Sequence, residues 1–316
     1  MALQSFITAR ELTAEQIRHL VSLSLKIKKD PTPYSSLLKG KTVVHFFIEN
    51  STRSKTSFEV ATRKLGGASM SFVPGTSSLS KGETLLDTAM TLKQYGADLV
   101  VMRHPSSGAP KWIRDVTGLP IVNSGDGTNE HPSQALLDAV TLVEHWGGSV
   151  EKTKGKKVLI LGDIAHSRVA RSNIHLLTKL GIEVTLCAPR TLLPVDLTLF
   201  PKVNVIYRLD DSTGKEVLAA TDAVICLRVQ SERQNAKMNL PSLQEFRHFW
   251  GMTVEREKLL KKDAVVLHPG PVNRGVELDS EVADSKRSLI LKQVENGVWA
   301  RMALLATILA PEGART

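Results

Sequence analysis

Ser51-Thr52-Arg53-Ser54 places three hydroxyls and a guanidinium where a strand gives way to a helix. Residues 43–48, just before, form an apolar run too continuous for a half-exposed strand and too short for a helix. That is the pattern of a buried strand in a parallel sheet, ended here by Glu49 and Asn50. The first turn of the following helix presents unpaired N–H groups and the positive end of its dipole. Hydroxyls and a permanent cation at that point suit a phosphate or similar anion. An ordinary cap accounts for one hydroxyl, but not for an arginine set among three. Three more arginines occupy comparable places: Arg103 ends the run 97–102, Arg168 opens a helix, and Arg228 follows the run 222–226. Open α/β sheets bind ligands at the carboxyl ends of their strands. Four cations on such rims would repel one another unless anions neutralise them, so the charge pattern predicts multiply anionic substrates.

Other polar residues fall at the same kind of position. His131-Pro132-Ser133-Gln134 opens a helix, with Pro132 at its first position and Gln134 on the same face as His131. Arg228 and Gln230 share one side of an extended segment. A loop at 74–88, rich in serine and containing Ser77 and Lys81, precedes another helix; taken alone it reads as a surface loop. Two prolines and Gly270 in His268-Pro269-Gly270-Pro271 make a rigid turn with exposed carbonyls.

The elements needed to position these residues alternate as in an α/β protein. Thr13 and Gln16 form a capping box for a helix to about residue 28, with Ile17, Leu20, Val21, Leu25 and Ile27 as its buried stripe. Strands are expected at 43–48, 69–73, 97–102 and 120–123. After a boundary near 147–155 they resume at 157–161, 183–187, 204–207, 222–226 and 263–267. A last apolar helix at 294–309 has the pattern of a segment packing back on the first domain. The turn after residue 161 resembles the start of a nucleotide-binding unit, but of the three glycines such a turn needs only Gly162 is present.

Phe47 to Glu59, read as F-x-x-x-S-T-R-S-K-x-S-F-E, resembles the carbamoyl-phosphate motif of the aspartate and ornithine carbamoyltransferases. Lys55 stands where that family usually has a second arginine. In a helix it points away from the mouth formed by residues 51–54, which suits a supporting ion pair. H-P-x-Q at 131–134 resembles a second motif of the family. R-V-Q-x-E-R at 228–233 and H-P-G-P-x-N-R-G-V-E at 268–277 are similar to its aspartate-specific members; ornithine enzymes carry a cysteine in the latter turn, and none is present here. These motifs follow in order over residues 47–277, most of the chain.

The resemblance implies two doubly wound parallel-sheet α/β domains, 1–147 for carbamoyl phosphate and 148–288 for aspartate, with a helix at 289–316 returning to the first. It implies transfer of a carbamoyl group to the α-amine of L-aspartate, giving N-carbamoyl-L-aspartate and phosphate, the committed step of de novo pyrimidine biosynthesis. No cofactor, metal or covalent intermediate is implied. Ser51, Thr52, Arg53 and Ser54 would hold the phosphate, and Ser54, Arg103 and His131 would donate to the carbonyl oxygen. Gln134 and the carbonyls of Pro269 and Gly270 would orient the carbamoyl NH2, with Pro271 in the same turn. Arg168, Arg228 and Gln230 would hold the aspartate carboxylates. Ser77 and Lys81 would come from an adjacent subunit of a homotrimer with shared active sites. The ending at 268–277 is similar to members that associate with dihydroorotase or a relative of it; a regulatory chain is the other partner the resemblance allows.

Composition bounds the alternatives. A chain of 316 residues accommodates two domains, and its formal charge of +9 suits anionic partners. The basic runs at 26–29, 152–157 and 258–262 contain no aromatics for stacking bases, so they read as solvated faces rather than a nucleic-acid surface. Cys187 and Cys226 end apolar runs and read as buried strand residues. The polar start, and the lack of an apolar run of ~18 residues, predict a cytoplasmic protein with no membrane partner. Rival readings are an ornithine or related carbamoyltransferase, a nicotinamide-dependent oxidoreductase and a basic binding module.

Overall fold

The computed structural model describes residues 3–72, 82–229 and 242–314. The chain divides into two compact units: Met1–Val140 with Val294–Thr316, and Thr141–Gln293. In the first, β1 (Thr42–Phe47), β2 (Ala68–Phe72), β3 (Leu99–His104) and β4 (Ile121–Asp126) form a parallel sheet in the order β2-β1-β3-β4. Helices α2 (Thr52–Lys64), α3 (Leu85–Gln94) and α4 (Ala109–Thr117) are the crossovers, and α5 (Pro132–His145) follows β4. Parallel strands need such crossovers, and both faces of the sheet are consequently covered.

β1 alternates its side chains between two buried faces. Val44 and Phe46 join Val100, Met102 and Ile121 in one core cluster with Ala89 and Leu92 of α3 and Ile113 of α4. Phe46 meets Phe72 edge-on at 5.0 Å. Burying a side chain of this size contributes about 1.5–3 kcal/mol, which fixes the strand's register and with it the level at which β1 ends. The amino-terminal segment runs beside β4: Phe6 donates its N–H to Ile121 and accepts from Asn123 at 2.8 and 2.9 Å. The preceding helix, α1 (Ala14–Lys29), has the expected capping box between Thr13 and Gln16. Its buried stripe differs at one place: Leu23 is buried and Leu25 only half-buried. At 100° per residue, Leu23 lies about 60° from Leu20 around the helix and about 40° from Ile27, whereas Leu25 lies about 140° from Leu20.

The second unit holds β5 (Lys157–Leu161), β6 (Glu183–Cys187), β7 (Asn204–Ile206), β8 (Ala223–Cys226) and β9 (Val265–Leu267), all parallel, in the order β7-β6-β5-β8-β9. Its helices are α6 (Arg168–Lys179), α7 (Ser212–Ala220), α8 (Leu243–Trp250), α9 (Val254–Glu257) and α10 (Ser280–Ala283). Cys187 and Cys226 are free and buried, and burial pushes the Cys187 thiol up to about 12, so it is protonated and inert at neutral pH. Helix α11 (Ile290–Leu309) brings Val294–Thr316 back into the first unit.

Both sheets are doubly wound. Strand order reverses between β1 and β3 in one and between β5 and β8 in the other. A crevice opens at such a reversal, because the chain leaves the two strands toward opposite faces of the sheet. No helix among the described residues is long and apolar enough to cross a membrane.

Candidate active site

The first reversal gathers the candidate anion-binding residues of the first unit. Phe47 of β1 pairs with Arg103 of β3, and Ile48 N–H donates to Arg103 O at 2.9 Å, so both strands end at one level. Ser51 caps α2, its Oγ accepting from Ser54 N at 3.3 Å. Thr52 and Arg53 are exposed in the first turn, while Ser54 is buried. The Ser54 Oγ lies 3.5 Å from His131 Nε2, and His131 Nδ1 lies 3.3 Å from Ser133 Oγ. Residues 77 apart in the chain thus meet at one edge of the sheet. His131 precedes α5 and Gln134 lies in its first turn, both buried. Gln134 donates through Nε2 to Asp138 Oδ1 at 2.9 Å, so one of its two amide N–H donors is taken by the protein.

Arg103 departs from the charge argument. Its Nη2 donates to Glu49 Oε1 at 2.6 Å, and Nη1 reaches Ser124 O at 3.4 Å. Glu49 reads in the sequence as the end of a strand, yet it neutralises one of the four arginines. The expectation of four cations awaiting substrate anions is therefore corrected: Arg103 already has a carboxylate, and the four divide between the two units. Lys55 does face away from the capped turn, with Nζ 4.0 Å from Glu59, as the helix geometry suggests.

The second reversal has a different construction. Gly162, at φ +126°, follows β5 where the chain passes against Leu227 beyond β8. A Cβ there would lie 2.4 Å from Leu227 O, so only glycine fits this approach. Leu227 N–H donates to Leu161 O at 2.8 Å, which holds the two strand ends together. Ser167 caps α6 by accepting from Ala170 N at 3.1 Å, and Arg168 is the buried first helical residue. Arg228 is half-buried, one residue past Leu227. Buried Asp163 accepts from His166 N at 3.2 Å and lies 2.8 Å from His166 Nδ1, bracing the turn before α6.

The turn after β9 is organised by a buried pair. His268 Nδ1 accepts from Gly270 N at 2.7 Å, which leaves the ring proton on Nε2 to donate to Glu277 Oε1 at 3.1 Å. Glu277 Oε1 also accepts from Asn273 N at 2.7 Å, and Asn273 Nδ2 donates to Val229 O at 3.3 Å. Gly270 and Pro271, joined by a cis peptide, are held between these anchors. The turn is thus tied to the chain just after Arg228. Sequence reasoning found its prolines but not the His268–Glu277 pair; the two are nine positions apart across irregular backbone, which gives no periodicity from which to infer it. The Gln134–Asp138 contact had a legible signal, an i,i+4 spacing on one helix. Ser77, Lys81, Gln230 and the 231–233 part of the motif lie outside the described residues. Among the described residues, no group of three or more His, Cys, Asp or Glu side chains could hold a metal ion.

Residues 4–144 match the carbamoyl-phosphate-binding domain of aspartate/ornithine carbamoyltransferases, and residues 154–308 match the aspartate/ornithine-binding domain. The chain is 45% identical over 313 residues to the aspartate carbamoyltransferase catalytic subunit of Campylobacter concisus, covering 98% of each. It is 48% identical over 298 residues to that of Desulfovibrio desulfuricans, covering 93% of this chain and 91% of the relative. Among solved structures it is similar to aspartate transcarbamoylase from Trypanosoma cruzi in complex with N-(phosphonacetyl)-L-aspartic acid. That similarity has a TM-score of 0.86 at 32% identity, over 97% of this chain and 96% of the other. With both domain matches in order and near-complete coverage, the chain belongs to the aspartate/ornithine carbamoyltransferase family.

Proposed function

We propose that this chain transfers the carbamoyl group of carbamoyl phosphate to the α-amine of L-aspartate, forming N-carbamoyl-L-aspartate and phosphate in pyrimidine biosynthesis. The observation that carries the reading is the approach of Ser54, in the capped turn at 51–54, to His131 at 3.5 Å, at the first strand reversal where β1 ends level with Arg103 of β3. A phosphate on the N–H groups and hydroxyls of Ser51, Thr52 and Ser54, with the Arg53 guanidinium, leaves its carbamoyl end beside these donors. Aspartate rather than ornithine is favoured by the relatives' names, by the turn at 268–277 and by the absence of a cysteine there.

The uncharged amine attacks the carbonyl carbon, the C–N bond forms, and the carbonyl electrons move onto oxygen. Ser54, Arg103 and His131 donate to that oxygen as its charge grows, a preorganised arrangement that lowers the barrier more than it strengthens ground-state binding. The tetrahedral adduct collapses with loss of phosphate, which accepts the amine proton. Gln134 and the carbonyls of Pro269 and Gly270 orient the carbamoyl NH2, with Pro271 fixing the turn. Arg168, Arg228 and Gln230 hold the aspartate carboxylates. Ser77 and Lys81 serve an adjacent subunit in a cytoplasmic homotrimer, and dihydroorotase or a regulatory chain is the class of further partner.

Separate perturbation of the two binding functions tests the reading. Arg53→Ala should weaken inorganic phosphate and carbamoyl phosphate at least tenfold, the order expected for losing a charge-assisted contact. Arg228→Ala should raise the aspartate KM while leaving phosphate affinity within twofold. Near-normal kinetics for Arg53→Ala, or equal losses of both substrates in each variant, would reject the assignment.

A further inference from the structure

Arg228 stands two residues past the end of β8, where the sheet no longer holds it. The register between β8 and β9 ends at Ile225 and Leu267. On the amino side of the arginine, Leu227 N–H donates to Leu161 O at 2.8 Å. On the carboxyl side, Val229 is 2% exposed, and a buried carbonyl needs a donor. The turn after β9 has few backbone donors to offer. Pro269 and Pro271 have no N–H, and those of Gly270 and Asn273 go to His268 Nδ1 and Glu277 Oε1. The donor is a side chain instead, Asn273 Nδ2 at 3.3 Å from Val229 O. The second half of the turn is itself anchored. Glu277 O accepts from Met252 N at 3.0 Å, Asp279 N donates to Met252 O at 3.1 Å, and Arg247 of α8 donates to both Asp279 oxygens at 2.8 Å. Asn273 therefore ties residue 229 to the frame of the second unit.

We propose that Asn273 is a positioning residue for Arg228. It fixes the backbone on the carboxyl side of the arginine, as Leu227 fixes it on the amino side, and so sets where the guanidinium meets a substrate carboxylate. The inference rests on the proposed function, which makes Arg228 a ligand of aspartate. A guanidinium fork recognises a carboxylate through two parallel N–H donors, and that geometry tolerates little displacement of the backbone carrying it. Two blander roles make different predictions. If Asn273 merely held the proline turn, its loss would be felt by carbamoyl phosphate, through the carbonyls of Pro269 and Gly270. If it merely stabilised the unit, its loss would act with or without the Arg228 guanidinium.

The experiment measures kcat, the KM of each substrate and the Kd of inorganic phosphate. The proteins are wild type, Asn273→Ala, Asn273→Asp, Arg228→Ala, and each Asn273 variant combined with Arg228→Ala. Asn273→Ala should raise the aspartate KM about three- to tenfold, the scale of one lost hydrogen bond, with kcat, carbamoyl phosphate KM and phosphate Kd within about twofold of wild type. Beside Arg228→Ala the same substitution should change aspartate kcat/KM by less than about twofold, because the group it positions is gone. Asn273→Asp keeps the side chain's shape and sets an oxygen against Val229 O whichever way it turns. It should match or exceed the alanine effect, and it carries the test if Asn273→Ala does not fold. An unchanged aspartate KM in a folded variant, a loss as large without Arg228 as with it, or a rise confined to the carbamoyl phosphate KM overturns the proposal. An Arg228→Ala protein with wild-type aspartate kcat/KM refutes the reading of Arg228 on which it rests.

Discussion

Gly162→Ala isolates what the second strand reversal contributes. The new methyl would lie 2.4 Å from the Leu227 carbonyl oxygen and 2.9 Å from its Cβ, and the backbone would have to keep φ at +126°. Holding a non-glycine residue in such a conformation costs about 1–3 kcal/mol. Relieving an overpacked contact costs about as much again, and here the obstacle is backbone that cannot swing aside. The sum is about 4 kcal/mol, a large fraction of a typical domain's stability. The hydrogen bond from Leu227 N to Leu161 O resists separation of the strands, so strain should pass along the chain into Arg228. Urea denaturation at pH 7.5 should show the loss, while steady-state kinetics should show the aspartate KM raised at least tenfold with phosphate affinity unchanged. Stability within 0.5 kcal/mol of wild type together with an aspartate KM within twofold would refute the role given to the close approach; these margins are about the usual scatter of neutral surface changes.

Two other predictions concern a buried histidine and the subunit contact. Burial lowers His45 to about 4, below the value near 6.5 it would have when unfolded. The unfolded chain therefore binds the extra proton first: the contribution is complete above pH 6.5 and is lost as pH falls toward 4, by about 3 kcal/mol in all. Denaturation midpoints of His45→Gln should depend less on pH across that window; an identical dependence would refute the assignment. For the shared site, mixing Lys81→Ala with Arg53→Ala chains should restore activity through hybrid sites that lack neither residue. Hybrids that assemble and stay inactive would contradict sharing.

The framework was legible because buried parallel strands are continuous apolar runs. Residues 157–161 and 183–187 in the sequence are β5 and β6 to the residue, and the Thr13–Gln16 box opens α1 as its pattern requires. Local chemistry was legible for the same reason at Ser51, whose cap lies within one turn. Contacts between distant residues were not. The Glu49–Arg103 pair spans 54 positions and exists only because β1 and β3 are neighbours, so the sequence suggested an uncompensated cation where the fold supplies a carboxylate. His268 and Glu277 escaped because neither period two nor period 3.6 applies in an irregular turn. Arg301 was hidden by its surroundings: one charge in an apolar helix does not reveal whether it is buried over Phe58 or reaches solvent. The missing G-x-G-x-x-G argued against a dinucleotide turn, but the reason Gly162 is glycine is its approach to Leu227, a contact set by the sheet order.

Incubation of the purified protein with carbamoyl phosphate and either L-aspartate or L-ornithine, with products identified by mass spectrometry, tests the central claim most directly. N-carbamoyl-L-aspartate and stoichiometric phosphate should appear with aspartate and no citrulline with ornithine. Citrulline formation, or phosphate release without a carbamoylated amino acid, would contradict it.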